Sequence, residues 1–183
     1  MALVYSPSPD LGNACPDFTL PGVDGKNHSR ADFVAGKPFV VMFICNHCPY
    51  VKAIEDRLIV LGHDLKKLGV GLMAISSNDA DRYDDDSFPA MARRAKEKSY
   101  SFPYLYDESQ SVAKEFGAVC TPDFFVYDKQ ARLAYRGRLD DSWKDPSAVT
   151  ARELFEACKM LSFGEPAPKN QTPSMGCSIK WKN

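Results

Sequence analysis

The chain has 183 residues, 44% of them hydrophobic and 11% aromatic, enough for one domain with a substantial core. Its 23 Lys and Arg against 24 Asp and Glu leave a formal net charge of -1, so it lacks the broad cationic field that nucleic acid would require of a partner. No window offers the ~18 apolar residues of a membrane-crossing helix. The start, Met1 to Pro7, has neither the basic residues nor the apolar run of a secretory signal, so a cytoplasmic protein without membrane contact is expected.

Residues 1–13 are rich in Pro and Ser without periodicity, and read as a loosely held arm. Phe18-Thr19-Leu20 followed by Pro21-Gly22-Val23-Asp24-Gly25 marks an N-terminal hairpin, with a helical turn from Arg30 to Val34 after it. Phe39 to Ile44 is a continuous apolar run, the pattern of a strand buried on both faces. Beyond Pro49, apolar residues recur at Val51, Ile54, Leu58, Leu61, Leu65 and Leu68, which predicts an amphipathic helix closed by Gly69. A second buried strand is expected over Val70 to Ile75, ending at the polar stretch Ser76-Ser77-Asn78-Asp79. Helices are expected over Pro89 to Lys98 and Ser111 to Phe116, then paired strands at Phe124 to Tyr127 and Leu133 to Gly137. Ala151, Leu154, Phe155, Cys158 and Leu161 stripe a last helix, and a Pro-rich tail follows from Gly164. The expected organisation is an arm (1–13), a domain (14–163) and a tail (164–183).

Six cysteines are too few for a disulfide scaffold of this length, and only Cys45 and Cys48 stand close together. At i and i+3 in the first turn of a helix, their Cβ atoms would lie ~5–6 Å apart, near the span of a disulfide. Cys45, just outside that helix, would face unpaired amides and the positive end of the dipole, which lowers a thiol pKa. A fall to about 6.5 would raise its thiolate fraction at neutral pH from roughly 3% to roughly 75%. His47 would add positive charge near that sulfur, and Cys48, one turn deeper, suits the second step of an exchange. The competing readings are a structural pair or half of a four-ligand zinc site, but no second cluster of ligands is found in the sequence.

Phe43 to Pro49 after a buried strand, together with Cys120-Thr121-Pro122 before another, resembles the cysteine pair and cis-proline loop of the thioredoxin superfamily. Ala14 to Leu20, Asp24-Gly25-Lys26 and Gly36 to Val41 resemble the N-terminal extension of its peroxiredoxin (AhpC/TSA) branch. Cys45 to Val51, Ser76 to Asp79, Tyr135 to Ser142 and Pro173 to Lys182 resemble the peroxiredoxin-like proteins of bacteria. The resemblance implies an α/β thioredoxin-like fold: a central mixed sheet flanked by helices, an N-terminal hairpin extension and a docked C-terminal tail. It also implies that Cys45 attacks, Cys48 resolves, Pro122 is cis and Thr121 offers its backbone to an extended substrate. The function so implied is thiol-disulfide exchange with a disulfide- or thiol-bearing protein or small molecule, served by an external reductant and no metal or organic cofactor. Thiol peroxidase and a non-catalytic redox-sensing or binding module are the alternatives.

Several features depart from the family pattern. Aligning Cys48-Pro49 with a peroxidatic cysteine puts Cys45 where a hydroxyl is needed and Cys120-Thr121-Pro122 where an arginine is needed, which argues against peroxide reduction by that route. No buried acid stands among Phe39 to Ile44 to move the resolving proton. Cys158 and Cys120 read as buried small hydrophobes, although Cys120 adjoins the cis-proline loop and is retained as an auxiliary position. Cys177 lies in a tail whose Ile179 and Trp181 argue for docking, and is an auxiliary thiol for exchange. Arg136, Arg138, Asp140 and Asp141 read as a rim of the site or a solvated edge, and Asp84-Asp85-Asp86 as a solvated loop.

Overall fold

The computed structural model describes residues 3–33 and 35–182, so Val34 at the end of the expected helical turn lies outside the described residues. In chain order the elements are β1 (Leu3–Tyr5), β2 (Thr19–Pro21), β3 (Asn27–Ser29), β4 (Phe39–Phe43), α1 (Pro49–Lys67), β5 (Gly71–Ser76), α2 (Phe88–Lys98) and β6 (Tyr104–Tyr106). Then come α3 (Ser111–Phe116), β7 (Cys120–Thr121), β8 (Asp123–Tyr127), β9 (Leu133–Gly137), α4 (Glu153–Ser162) and β10 (Met175–Ser178). Short 3-10 turns occupy Arg30–Asp32, Asp84–Asp86 and Pro146–Ala148.

A five-stranded mixed sheet in the order β6-β5-β4-β8-β9 forms the centre, parallel among β4, β5 and β6 and antiparallel across β4, β8 and β9. β4 is the middle strand, and its alternation divides the core. Val40, Met42 and Ile44 pack with α1, α4 and Met91, while Phe39, Val41 and Phe43 pack with α3 and the N-terminal segment. This is why its sequence is apolar at every position. Leu58, Leu61 and Leu65 of α1 are fully buried, each stabilising the fold by ~2 kcal/mol relative to exposure. Gly69, at φ +70, closes α1 with the paired bonds from Gly69 N to Lys66 O and Val70 N to Leu65 O. Among the described residues no helix is long and apolar enough to cross a membrane.

The expected hairpin forms as β2 and β3. One expectation changes: the arm read as loosely held carries β1. The tail docks as expected, and does so as a strand, so that β1-β10-β7 make a second, three-stranded antiparallel sheet. Beyond β10, Ile179 is buried in the second core, and the Lys180 backbone is bonded to the 78–79 turn: its N–H donates to the side-chain Oδ1 of Asn78 and its carbonyl accepts from Asp79 N. β1, β7 and β10 thus tie both ends of the chain over one end of the central sheet.

Candidate active site

β4 delivers Cys45 to the end of the sheet, with Ile44 N still bonded to Ile75 O. The helix does not enclose the pair as expected. α1 begins at Pro49, and Cys48, at φ -68 and ψ 121, is its N-cap. The cause is local: a residue before proline avoids helical angles, and proline suits the first helical position because it has no N–H to satisfy. The amides and dipole at the helix start therefore act on Cys48, reversing the thiolate assignment expected from spacing.

The electrostatics follow that geometry. Cys48 is held down to about 5, first by the hydrogen bond from the Cys45 thiol, then, against the cost of burial, by the Val51 amide of the first turn and by Cys177. Cys45 keeps its proton well above the ordinary thiol range because it shares it with Cys48, because it is buried and because the Asp86 carboxylate stands nearby. In the neutral form the Cys48 thiol has the Thr121 carbonyl oxygen 3.2 Å away as its acceptor, and Cys45 Sγ lies 3.3 Å from Thr121 Oγ1. The Thr121-Pro122 bond is cis, and its loop faces the pair, as the resemblance implied.

Asp86 is the residue that sequence reasoning missed. Placed in a solvated loop, it is instead 0% exposed, and its carboxylate accepts four hydrogen bonds. Oδ1 takes Asn46 N at 2.8 Å and His47 N at 3.2 Å, while Oδ2 takes His47 Nδ1 at 2.5 Å and Asn78 Nδ2 at 2.8 Å. Burial pushes its carboxyl up, but these donors outweigh burial and keep it below the usual carboxylate range. The dipeptide between the cysteines is thus pinned to a buried anion. His47, stacked on Tyr83 with centroids 4.7 Å apart, is held by Asp86, which offsets any positive charge it would bring to Cys45. Cys45, His47 and Asp86 bring a sulfur, an imidazole nitrogen and a carboxylate oxygen within 4.8 Å of one another, a donor set for a transition metal. The imidazole gives Nδ1 to Asp86, while its buried Nε2 has no hydrogen-bond partner among the described residues.

Of the other expected site residues, Thr121 and Cys177 lie against the pair, while Cys120 and Arg138 do not contact it. The Thr121 backbone, expected to face an extended substrate, is paired with β10 in this structure, Cys177 opposite Thr121 and Ser178 opposite Cys120. Cys177 meets Cys48 through both its backbone and its side chain. The Cys120 thiol has Pro122 O 3.7 Å away, and burial raises its pKa. Arg138 is bound to Glu153 and lines a cavity of about 260 Å³ with Tyr50, Pro122, Leu139, Trp143 and Met175, beside the pair rather than at it. Arg136 is no rim residue: it is buried, 2.8 Å from Asp123 Oδ2. Cys158 is a small hydrophobe in the core.

A parallel β4-α1-β5 unit with Cys-X-X-Cys between its first strand and its helix, opposed by a cis-proline loop, defines a thioredoxin fold. The AhpC/TSA family profile matches residues 11–136, and the chain belongs to that family of oxidoreductases. It is similar along its whole length to the crystal structure of an uncharacterized conserved protein from Geobacillus kaustophilus, 44% identical over 100% of this chain and 97% of that one, with a TM-score of 0.94. Peroxiredoxin Bcp of Escherichia coli K12 is 27% identical over 133 residues, 68% of this chain and 76% of that protein. Thiol-disulfide oxidoreductase ResA of Bacillus thuringiensis is 23% identical over 124 residues, 68% of this chain and 67% of that protein.

Proposed function

We propose that the protein catalyses thiol-disulfide exchange through Cys48 and Cys45, with Cys48 as the first nucleophile. The observation that carries this reading is the place of Cys48 as the N-cap of α1 beside Cys45, an arrangement that lowers the pKa of Cys48 and raises that of Cys45. Cys48 sulfur attacks one sulfur of a substrate disulfide and expels the other half as a thiolate. Cys45 then attacks Cys48 Sγ and releases the second half, which takes up the Cys45 proton. The 45–48 disulfide that remains passes to an external thiol reductant. A thiolate stabilised in this way favours the reduced form, which gives the couple an oxidising poise. His47 and Asp86 position the dipeptide and touch neither sulfur of the substrate.

One observation favours peroxidase as the second reading. Cys45 is 1% exposed and Cys48 0%, which admits a two-oxygen substrate more readily than a protein. In that case Cys48 takes an oxygen from a hydroperoxide to become a sulfenic acid, and Cys45 condenses with it, releasing water. Stopped-flow rates with oxidised glutathione and with hydrogen peroxide separate the readings. We expect Cys48→Ser to lose reaction with oxidised glutathione and Cys45→Ser to retain the first step, attack by Cys48 with release of one glutathione thiol. A Cys48→Ser protein that still reacts, beside an inert Cys45→Ser protein, would restore the opposite order. Turnover of peroxide alone would select the peroxidase, and turnover of neither the non-catalytic module.

A further inference from the structure

β10 does more than close a sheet edge. Its register sets Cys177 opposite Thr121, the residue that lies against both active cysteines, and Cys177 contacts Cys48 through backbone and side chain. The approach is closer than most side chains permit. A Cβ at Gly176 would sit 1.9 Å from the Thr121 carbonyl oxygen and 3.1 Å from Pro122 Cδ, so glycine at this position lets the strand lie directly on the cis-proline loop. β1 holds the outer edge of β10, pairing Leu3 with Cys177, and Lys180 is anchored on the 78–79 turn. Cys45, Cys48 and Cys177 share one buried cluster. An extended peptide held by main-chain pairing against a sheet edge is a general mode of recognition, and this chain fills that position with a strand of its own carrying a cysteine.

We propose that Cys177 is a third exchanging thiol of the site, presented to Cys48 by the C-terminal strand. The step rests on the 45–48 disulfide of the proposed function. The Cys177 sulfur attacks Cys48 Sγ, the Cys45–Cys48 bond breaks, and a Cys48–Cys177 bond forms. The proton leaving Cys177 is taken up by the released Cys45 thiolate, so one disulfide is exchanged for another with no net oxidation. Cys177 is raised to about 12 by burial and then by the Cys48 sulfur. The second cause disappears once Cys48 is in a disulfide, so Cys177 ionises more readily at the stage when it is needed. The result moves the oxidising equivalent from the buried pair onto the tail.

The test uses the full chain bearing Cys45→Ala, reduced, exposed to one equivalent of oxidised glutathione, acid-quenched, alkylated and mapped by peptide mass spectrometry. The expected product is an intramolecular 48–177 disulfide with release of two glutathione thiols per chain. Glutathione retained on Cys48 beside an alkylated Cys177 would overturn the proposal while leaving the proposed function standing. An alkylated, unreacted Cys48 would overturn both. Should Cys45→Ala fail to fold, the wild-type chain carries the same test. Oxidised and mapped, it is expected to show a 48–177 population with Cys45 alkylated, and complete recovery as the 45–48 form overturns the proposal.

Discussion

Four donors converge on the single carboxylate of Asp86, and two of them, the amides of Asn46 and His47, belong to the dipeptide that separates the cysteines. The loop is therefore shaped by a buried anion contributed from a distant turn. Replacing Asp86 with Asn keeps the volume but turns an amide group toward donors, leaving buried N–H groups unsatisfied. The expected cost is about 3 kcal/mol, read as a lower urea midpoint with unchanged m. The same change removes one of the influences that hold the Cys45 proton, the others being Cys48 and burial. The pH profile of Cys45 alkylation should move to lower pH. An unaltered profile with lost stability would reduce Asp86 to a structural role. No local pattern in Asp84-Asp85-Asp86 marks the third aspartate as the buried one. That choice is made by the 3-10 turn against Asn78, a contact set only by the tertiary fold.

The elements legible in the sequence were those that carry their own periodicity: the stripe of α1, the all-apolar β4 and the hairpin of β2 and β3. β7 and β10 have two and four residues, too few for alternation to register, and they exist through pairing between positions 121 and 177. β6, three residues after Pro103, was hidden in the same way. The site was legible to a similar depth, its cysteines and cis-proline from motif but its strand-covered face only from long-range contact. This covering strand has a testable consequence. In Gly176→Ala the new methyl meets backbone at Thr121, which has little freedom to give way, so β10 must lift from β7. We expect Cys48 to react roughly tenfold faster with a small disulfide, as local opening replaces a closed edge, while the far core keeps its amide protection from hydrogen exchange. A rate equal to wild type with β10 amides still protected would mean that the strand absorbs the methyl without opening, and that the covering is not what limits access.

Folding and redox state are linked across the whole molecule because the reduced pair carries a different number of protons folded and unfolded. Unfolded, both thiols titrate near 9.0, whereas in the fold Cys48 loses its proton at about 5 and Cys45 keeps its own. Between these values the unfolded chain binds one more proton, so the stability of the reduced form rises with pH, at up to about 1.4 kcal/mol per unit. Below about 5 the Cys48 proton returns and that contribution is lost. Above 9.0 the unfolded thiols have both ionised while Cys45 has not, and the sign reverses. In the 45–48 disulfide neither sulfur titrates, so the oxidised chain lacks this dependence. Asp123, which burial lifts to about 6 despite Arg136, acts the other way, weakening the fold as pH rises from 3.8 toward that value. It does so in both redox forms and cancels between them. Urea unfolding of reduced and oxidised protein at a series of pH values should therefore give a stability difference that shifts toward the reduced form from about pH 5 to pH 9 and turns back beyond it. A difference flat across that range would mean that Cys48 holds its proton in the fold, and would remove the thiolate on which the order of attack depends.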